Sequence, residues 1–241
     1  MNLILFQTII QTISSTLHWL GFSIGARVWA GSGPRRWPWI VGSGIVAAAW
    51  LIGVVLLASN DFFRNDVQPP RIPAALAMTL AFGYLLLLSA SFRGIIAAIP
   101  SHWLIGIQTF RILGAVFLIR YFQGDLPALF AIPAGVGDTL TGVFAPIVAY
   151  WSYSGKPYAR GAAIAWNLFG MADLINAVAI GSLLGATGMV FPIVLIPIYA
   201  VPRAFLIHSY SLIGLLRKTS RQPQPRQALR YGVEAARPSS H

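Results

Sequence analysis

Five ionisable side chains lie inside long apolar runs of this sequence: Arg111, Asp138, Asp173, Arg203 and His208. A charge at the centre of a membrane helix costs about 2.5–3.5 kcal/mol on the insertion scale, so such residues usually face a protein interior and find partners. At about 1.5 Å of rise per residue and with the reach of an Arg side chain, the four permanent charges fall in one layer near the membrane midplane. The signs of the four permanent charges balance. We therefore expect the two arginines to pair with the two aspartates, with the order of pairing left open.

Small and polar residues share the helix faces of these charges. Gln108 lies on the face of Arg111, and Asn176 lies on the face of Asp173. Small residues allow membrane helices to approach closely, so these are predicted to be packing faces rather than lipid faces. We expect Gln108, Asn176 and His208 to line a site formed by the two arginines and the two aspartates.

Helix breakers stand beside two of the charges. Pro133, Gly135 and Gly137 precede Asp138, and Pro202 directly precedes Arg203. An interior proline removes a helix hydrogen bond, and many transporters build substrate sites from broken helices beside midplane charges. The leading hypothesis is therefore a small transporter or channel-like protein that binds a polar solute or an ion. The alternative is a structural or assembly subunit whose buried ion pairs only fix the helix register.

A third hypothesis is a haem-binding redox protein. His18 and His208 fall at similar predicted depths on different segments, and two axial histidines can hold haem between membrane helices. No other cofactor, no further metal site and no catalytic residue are predicted. The sequence has neither a phosphate-binding Gly-Lys-Ser/Thr run nor a His-Glu-x-x-His motif, so an enzyme is the less favoured class.

Composition indicates that the solvent of this chain is a lipid bilayer. The 241 residues are 56% hydrophobic and 10% charged, whereas a soluble domain carries about 25% charged residues. The net charge of +11 does not indicate a nucleic-acid partner, because the basic residues cluster in short loops and in the tail.

The apolar runs predict an all-α, polytopic transmembrane bundle over residues 1–216. A spanning helix needs about 20 mostly apolar residues, and runs of this kind lie near 38–58, 73–92, 104–122, 127–151, 162–185 and 189–216. The segment 1–26 has an apolar face and an opposite face of Gln, Ser and His. We expect it to span as a seventh helix with its polar face turned into the bundle. The alternative is six spans and an interfacial amino-terminal helix.

Basic residues predict the orientation. Twelve Lys and Arg residues fall at alternate ends of the spans and in the tail, against Arg64, Arg71 and Arg120 on the other side. The positive side is normally cytoplasmic, which places the carboxyl end inside and the amino end in the periplasm. Residues 217–241 are predicted to be a disordered, basic, cytoplasmic tail. Gly181 and Gly185 form a small-xxx-small pair that could also support a homo-oligomer.

One stretch resembles polytopic bacterial inner-membrane proteins of unassigned function. It comprises Gln108-Thr-Phe-Arg111, Gly124-Asp-Leu-Pro127, Phe130-Ala-Ile-Pro133-Ala-Gly-Val-Gly-Asp138 and Ala145-Pro146. Trp166-Asn167, Gly170, Asp173 and His208 fit the same pattern, so the resemblance covers roughly residues 100–216. It implies a bacterial inner-membrane location and no particular activity.

Overall fold

All regular elements of the described structure are helical, as the sequence predicts. The structure is a computed structural model that describes residues 3–63, 71–185 and 190–217. In chain order the helices are α1 (Leu3–Ala30), α2 (Arg36–Ser59), α3 (Arg71–Leu86), α4 (Ala90–Ala98), α5 (Ser101–Gly106), α6 (Val116–Phe122), α7 (Ala128–Tyr153), α8 (Ala159–Leu183) and α9 (Val201–Arg217). A 3₁₀ segment at Ile107–Ala115 joins α5 to α6, and a π-helical segment at Ile196–Ala200 precedes α9.

Five helical stretches of the described chain are long and apolar enough to cross a membrane. They are Arg36–Ser59, Ser101–Phe122, Ala128–Tyr153, Ala159–Leu183 and Ile196–Arg217. The bent pair of α3 and α4 makes a sixth if it is one span. Large apolar side chains such as Val41, Ile45 and Ile52 of α2 are exposed, which is compatible with a surface facing lipid. Five or six spans are therefore supported, and the predicted seven are not confirmed.

The predicted span near 73–92 is broken in the middle. α3 ends at Leu86, and α4 leaves it at an angle of 93°. The hydroxyl of Ser89 accepts a hydrogen bond from the Phe92 N–H at 3.3 Å and so caps the start of α4. Arg93 donates to the carbonyl of Leu87 at 2.6 Å, which satisfies a backbone group freed by the bend. Hydropathy alone does not reveal this break, because the apolar run continues through it.

α1 turns its polar face into the bundle, as predicted. Gln7, Gln11 and Ser14 are almost completely buried, while Ile9 and Ile13 are exposed. The helix packs against α2, α4 and the 3₁₀ segment. It is not among the five or six stretches that qualify as spans by length and hydropathy. The alternative of an interfacial first helix therefore stays open.

The small-xxx-small pair has roles within the chain itself. Gly181 packs beside the ring of Phe130, where an added Cβ would lie 3.4 Å from a ring carbon. Gly185 follows the end of α8 with φ at +61°, the left-handed conformation common after a helix terminus. Neither residue needs a second copy of the chain to explain it, and the homo-oligomer stays a prediction.

The description of α9 reaches Arg217, and the predicted boundary between the bundle and the tail stays a prediction. The predicted tail at 217–241 otherwise lies outside the described residues.

Candidate functional site

The centre of the bundle holds one arginine between two aspartates. Nε of Arg111 donates to Oδ1 of Asp138 at 2.6 Å, and Nη2 donates to Oδ2 of Asp173 at 2.5 Å. Arg111 and Asp138 are 3% and 8% exposed, and the Asp173 side chain is 7% exposed. Three separate elements supply the three charges: the 3₁₀ segment, α7 and α8. We call these three residues the Arg111 triad.

A chain of neutral polar groups continues from the remaining nitrogen of Arg111. Nη1 lies 3.2 Å from the carbonyl of Gly170 and 3.0 Å from Nε2 of His208. Because a guanidinium only donates, Nε2 must accept, which leaves the ring proton on Nδ1. Nδ1 lies 2.9 Å from Oδ1 of Asn167, and Asn167 donates through Nδ2 to the hydroxyl of Ser211 at 3.1 Å. In this arrangement His208 is neutral and adds no charge to the triad.

Glycines allow the helices to approach closely around the triad. A Cβ on Gly114 would overlap the Asp138 side chain, and one on Gly137 would overlap the Asp173 carboxylate. A Cβ on Gly142 would meet the backbone of Ile112, next to Arg111. Because these glycines have no side chain, α7 can approach both α8 and the 3₁₀ segment closely. This agrees with the predicted packing faces.

The predicted break in α7 is absent. α7 is one continuous α-helix from Ala128 to Tyr153, and Pro133 lies inside it. Gly135 packs against Leu118, and Gly137 packs against Asp173. The glycines that we interpreted as breakers are contact points, because neighbouring helices fill the space that a side chain would take.

Helical irregularity lies elsewhere, beside the two arginines. Arg111 lies in the 3₁₀ segment, and Arg203 follows the π-helical segment by three residues, just after Pro202. Stretches of 3₁₀ helix and single π turns within helices often mark functional hinges or sites. The prediction of an irregular helix near Pro202 is thus consistent with the structure, whereas the irregularity at Arg111 was not predicted.

Arg203 pairs with no aspartate among the described residues, which corrects the pairing hypothesis. The described salt bridges at the centre of the bundle both belong to Arg111. Arg203 instead donates to the hydroxyls of Ser15 at 2.9 Å and Ser14 at 3.1 Å, and its guanidinium carbon lies 3.9 Å from the Tyr199 ring centroid. Hydroxyl groups on the polar face of α1 thus accept the hydrogen bonds of Arg203 in place of a carboxylate.

The other predicted lining residues have different positions. Gln108 is fully buried and donates to the carbonyl of Ala204 at 2.9 Å, while its Oε1 has no partner among the described residues. Asn176 is exposed and stands beside Asp173 at the edge of a groove. His208 joins the network directly. Of the seven predicted residues, Arg111, Asp138, Asp173 and His208 come together, Gln108 and Asn176 lie nearby, and Arg203 forms its own cluster.

Asn167 and Ser211 were missed by the sequence analysis as site members. Asn167 is three residues before Gly170 and Ser211 is three residues after His208, so each lies on the face of a residue in the network. This spacing could have identified them. Trp166 is a further neighbour, since its ring centroid lies 4.8 Å from that of His208 and its indole donates to the carbonyl of Thr141 at 3.0 Å.

Two spaces adjoin the triad. A partly open cavity of about 40 Å³ is lined by Arg111, Asp138, Gln7 and Gln11, among others. A cavity of this size can hold water molecules but no organic solute. On the other side, a groove of about 520 Å³ between α7 and α8 reaches Asp173.

The two histidines of the haem hypothesis have polar neighbours. Nδ1 of His18 contacts the carbonyl oxygen of Ser14, and its Nε2 is buried without a partner in the described structure. Both ring nitrogens of His208 face polar atoms, so haem ligation there would have to displace Arg111 or Asn167. No group of three or more His, Cys, Asp or Glu residues suited to a metal ion is found in the described ranges.

Fold and site together define a class: an all-helical protein, compatible with a polytopic membrane protein, with ion pairs buried among its apolar helices. Within that class, the chain belongs to the family described as a domain of unknown function, DUF8737, whose model matches residues 69–216. The matched range contains the whole Arg111 network but not α1. No curated protein and no solved structure matches the chain.

Proposed function

We propose that the chain is a small transporter or channel-like protein of the bacterial inner membrane that binds a proton or a small cation at the Arg111 triad. The observation that carries this proposal is that two buried carboxylates share one guanidinium. With both carboxylates ionised, the triad has a net charge of −1. Such an excess charge in a low-dielectric interior is costly, and a bound proton or cation removes the cost.

A structural role alone does not call for the second carboxylate. One aspartate neutralises one arginine, and a pair of this kind can fix helix register by itself. The second carboxylate adds an uncompensated charge in the same buried site. His208 does not offset this charge, because it accepts a hydrogen bond from Arg111 in its neutral form. The surplus carboxylate therefore favours a binding site over an ion pair that only fixes the helix register.

The 40 Å³ cavity supports the same proposal. Asp138 and Gln7 both line it, and Gln7 is 1% exposed with no hydrogen-bond partner for its Oε1 in the described structure. A carboxylate and an unpaired amide oxygen both accept hydrogen bonds, so the cavity offers acceptors to water, hydronium or a small metal cation. A buried acceptor left empty costs about 1–3 kcal/mol, and a ligand would recover that energy.

A structural or assembly subunit is the second candidate, and one observation favours it. All three nitrogens of Arg111 have acceptors within the chain, at 2.5–3.2 Å. A network in which every nitrogen of Arg111 has an acceptor can serve to hold the 3₁₀ segment, α7, α8 and α9 together. The two candidates differ in whether the triad exchanges a proton or cation with solvent.

Currents across a reconstituted bilayer test the proposal. Proteoliposomes are adsorbed to a solid-supported membrane, and the pH or the Na⁺ or K⁺ concentration of the solution is changed rapidly. The resulting movement of charge is recorded. We expect a current with the unmodified protein and its loss in Asp173→Asn. Asp125→Asn is the matched control, because Asp125 forms an exposed ion pair with Arg120 at 3.0 Å, away from the triad. Equal currents in protein-free vesicles and in all three proteins would contradict transport.

A further inference from the structure

The groove between α7 and α8 has apolar walls and an opening towards the outside of the bundle. Its volume is about 520 Å³, within the roughly 300–1,000 Å³ of small-molecule pockets. Ile132, Val136 and Leu140 of α7 and Phe169 of α8 line it, and each of these side chains is 41–47% exposed. Both helices are long and apolar enough to cross a membrane, so these exposed side chains are compatible with a groove that opens towards lipid.

The polar part of the groove is small and negatively charged. Asp173 lines it through a carboxylate that is bonded to Arg111 on one oxygen, and Asn176 follows one turn further along α8. Asn176 is exposed on a surface that is otherwise apolar. Its amide has no hydrogen-bond partner within the described part of the chain. The apolar groove is therefore lined by two polar groups. One is a carboxylate of a triad with excess negative charge, and the other is an amide with no hydrogen-bond partner in the described structure.

We propose that this groove binds a lipophilic organic cation, such as a quaternary phosphonium or ammonium ion with apolar substituents. This inference rests on the negative charge that the proposed function assigns to the triad, and it adds a second, larger class of cation as a ligand of Asp173. The cationic centre lies against Asp173, where it compensates the excess charge of the triad. The apolar substituents lie against Ile132, Val136, Leu140 and Phe169. Such molecules dissolve in the bilayer and reach the groove from the side.

Charge separates this ligand class from the alternatives. An organic anion would meet the excess negative charge of the triad, and Arg111 is 3% exposed and already bonded to both carboxylates. A neutral apolar molecule would fill the groove without compensating Asp173. At an effective dielectric constant of about 20, opposite unit charges about 4 Å apart attract by about 4 kcal/mol, which is enough to select the cation.

Two ions of the same shape and opposite charge test the proposal. Equilibrium dialysis measures binding of tetraphenylphosphonium and of tetraphenylborate to the full-length protein in detergent. We expect saturable binding of the phosphonium ion and at least about tenfold weaker binding of the borate ion. Equal binding of both ions, tighter binding of the borate ion, or no saturable binding of the phosphonium ion would overturn the proposal.

Variants locate the bound ion. Asp173→Asn should weaken phosphonium binding by at least about tenfold. Val136→Phe narrows the groove from its wall without touching the triad and should also weaken binding. Val143→Phe is its matched control, because Val143 is similarly exposed on α7 but does not line the groove. Should Asp173→Asn fail to fold, this valine pair decides the outcome: equal phosphonium affinity in both valine variants would overturn the proposal.

The outcome is distinguishable from that of the proposed function. Proton- or cation-driven currents without phosphonium binding would overturn only the substrate class. Phosphonium binding without any current in reconstituted vesicles would overturn only the transport function and leave the groove as a binding site.

Discussion

Nη2 of Arg111 lies 2.5 Å from Oδ2 of Asp173, although a second carboxylate already occupies the Nε side of the same guanidinium. One carboxylate, here taken as that of Asp173, is thus in excess of the single charge that Arg111 neutralises. Its removal leaves one arginine and one aspartate, which neutralise each other. The removal of Arg111 would leave two carboxylates close together in the bundle interior.

This asymmetry predicts unequal effects on stability. Arg111→Gln should lower the free energy of unfolding by about 3–5 kcal/mol, because it leaves buried charges without a partner. Asp173→Asn should lower it much less, by about 1 kcal/mol, since the remaining pair is neutral and the change weakens only one hydrogen bond. Denaturant unfolding in detergent measures both values, with Asp125→Asn as an exposed control. Similar large losses for both substitutions would show that the second carboxylate is structural.

Close packing around Arg111 predicts the effect of a single methyl group. Gly142→Ala places a Cβ against the backbone of Ile112, which cannot move aside as a side chain could. We expect a loss of about 1–3 kcal/mol in unfolding free energy. Gly161→Ala on α8 is the matched control, because nothing lies within 4 Å of its added Cβ.

At that control position alanine should be neutral, or stabilising by about 0.5–1 kcal/mol. Equal effects at Gly142 and Gly161 would contradict the close approach of α7 to the 3₁₀ segment.

Much of the site was predictable from composition and spacing. Arg111, Asp138 and Asp173 are charges in apolar runs, and the glycines on their faces indicated that these faces pack. The partner of Arg203 was not predictable, because helix adjacency decides it and the polar face of α1 could have packed in several places. The 3₁₀ geometry at Arg111 was also not predictable, since the sequence there carries no proline.

The haem hypothesis predicts an absorption that is easy to measure. Because His208 already faces Arg111 and Asn167, we expect purified protein from haem-supplied cells to show no Soret band. A Soret band in the unmodified protein that disappears in both His18→Ala and His208→Ala would establish haem ligation and require a different conformation of this network.

Topology is predicted from the basic residues. A reporter that is active only in the periplasm should be inactive when fused after residue 241 and active when fused before residue 1, because the positive side stays in the cytoplasm. Activity at the carboxyl end would reverse the orientation. Inactivity at both ends would favour an even number of spans, with α1 at the interface.

The central claim is that the Arg111 triad exchanges a proton or cation with its surroundings. Infrared difference spectroscopy on reconstituted protein measures this directly, by comparing the carboxyl bands before and after a change of pH or addition of Na⁺ or K⁺. The account predicts a carboxyl band that responds in the unmodified protein and in Asp125→Asn, and that is lost or shifted in Asp173→Asn. Identical difference spectra for the unmodified protein and Asp173→Asn under every condition would contradict it.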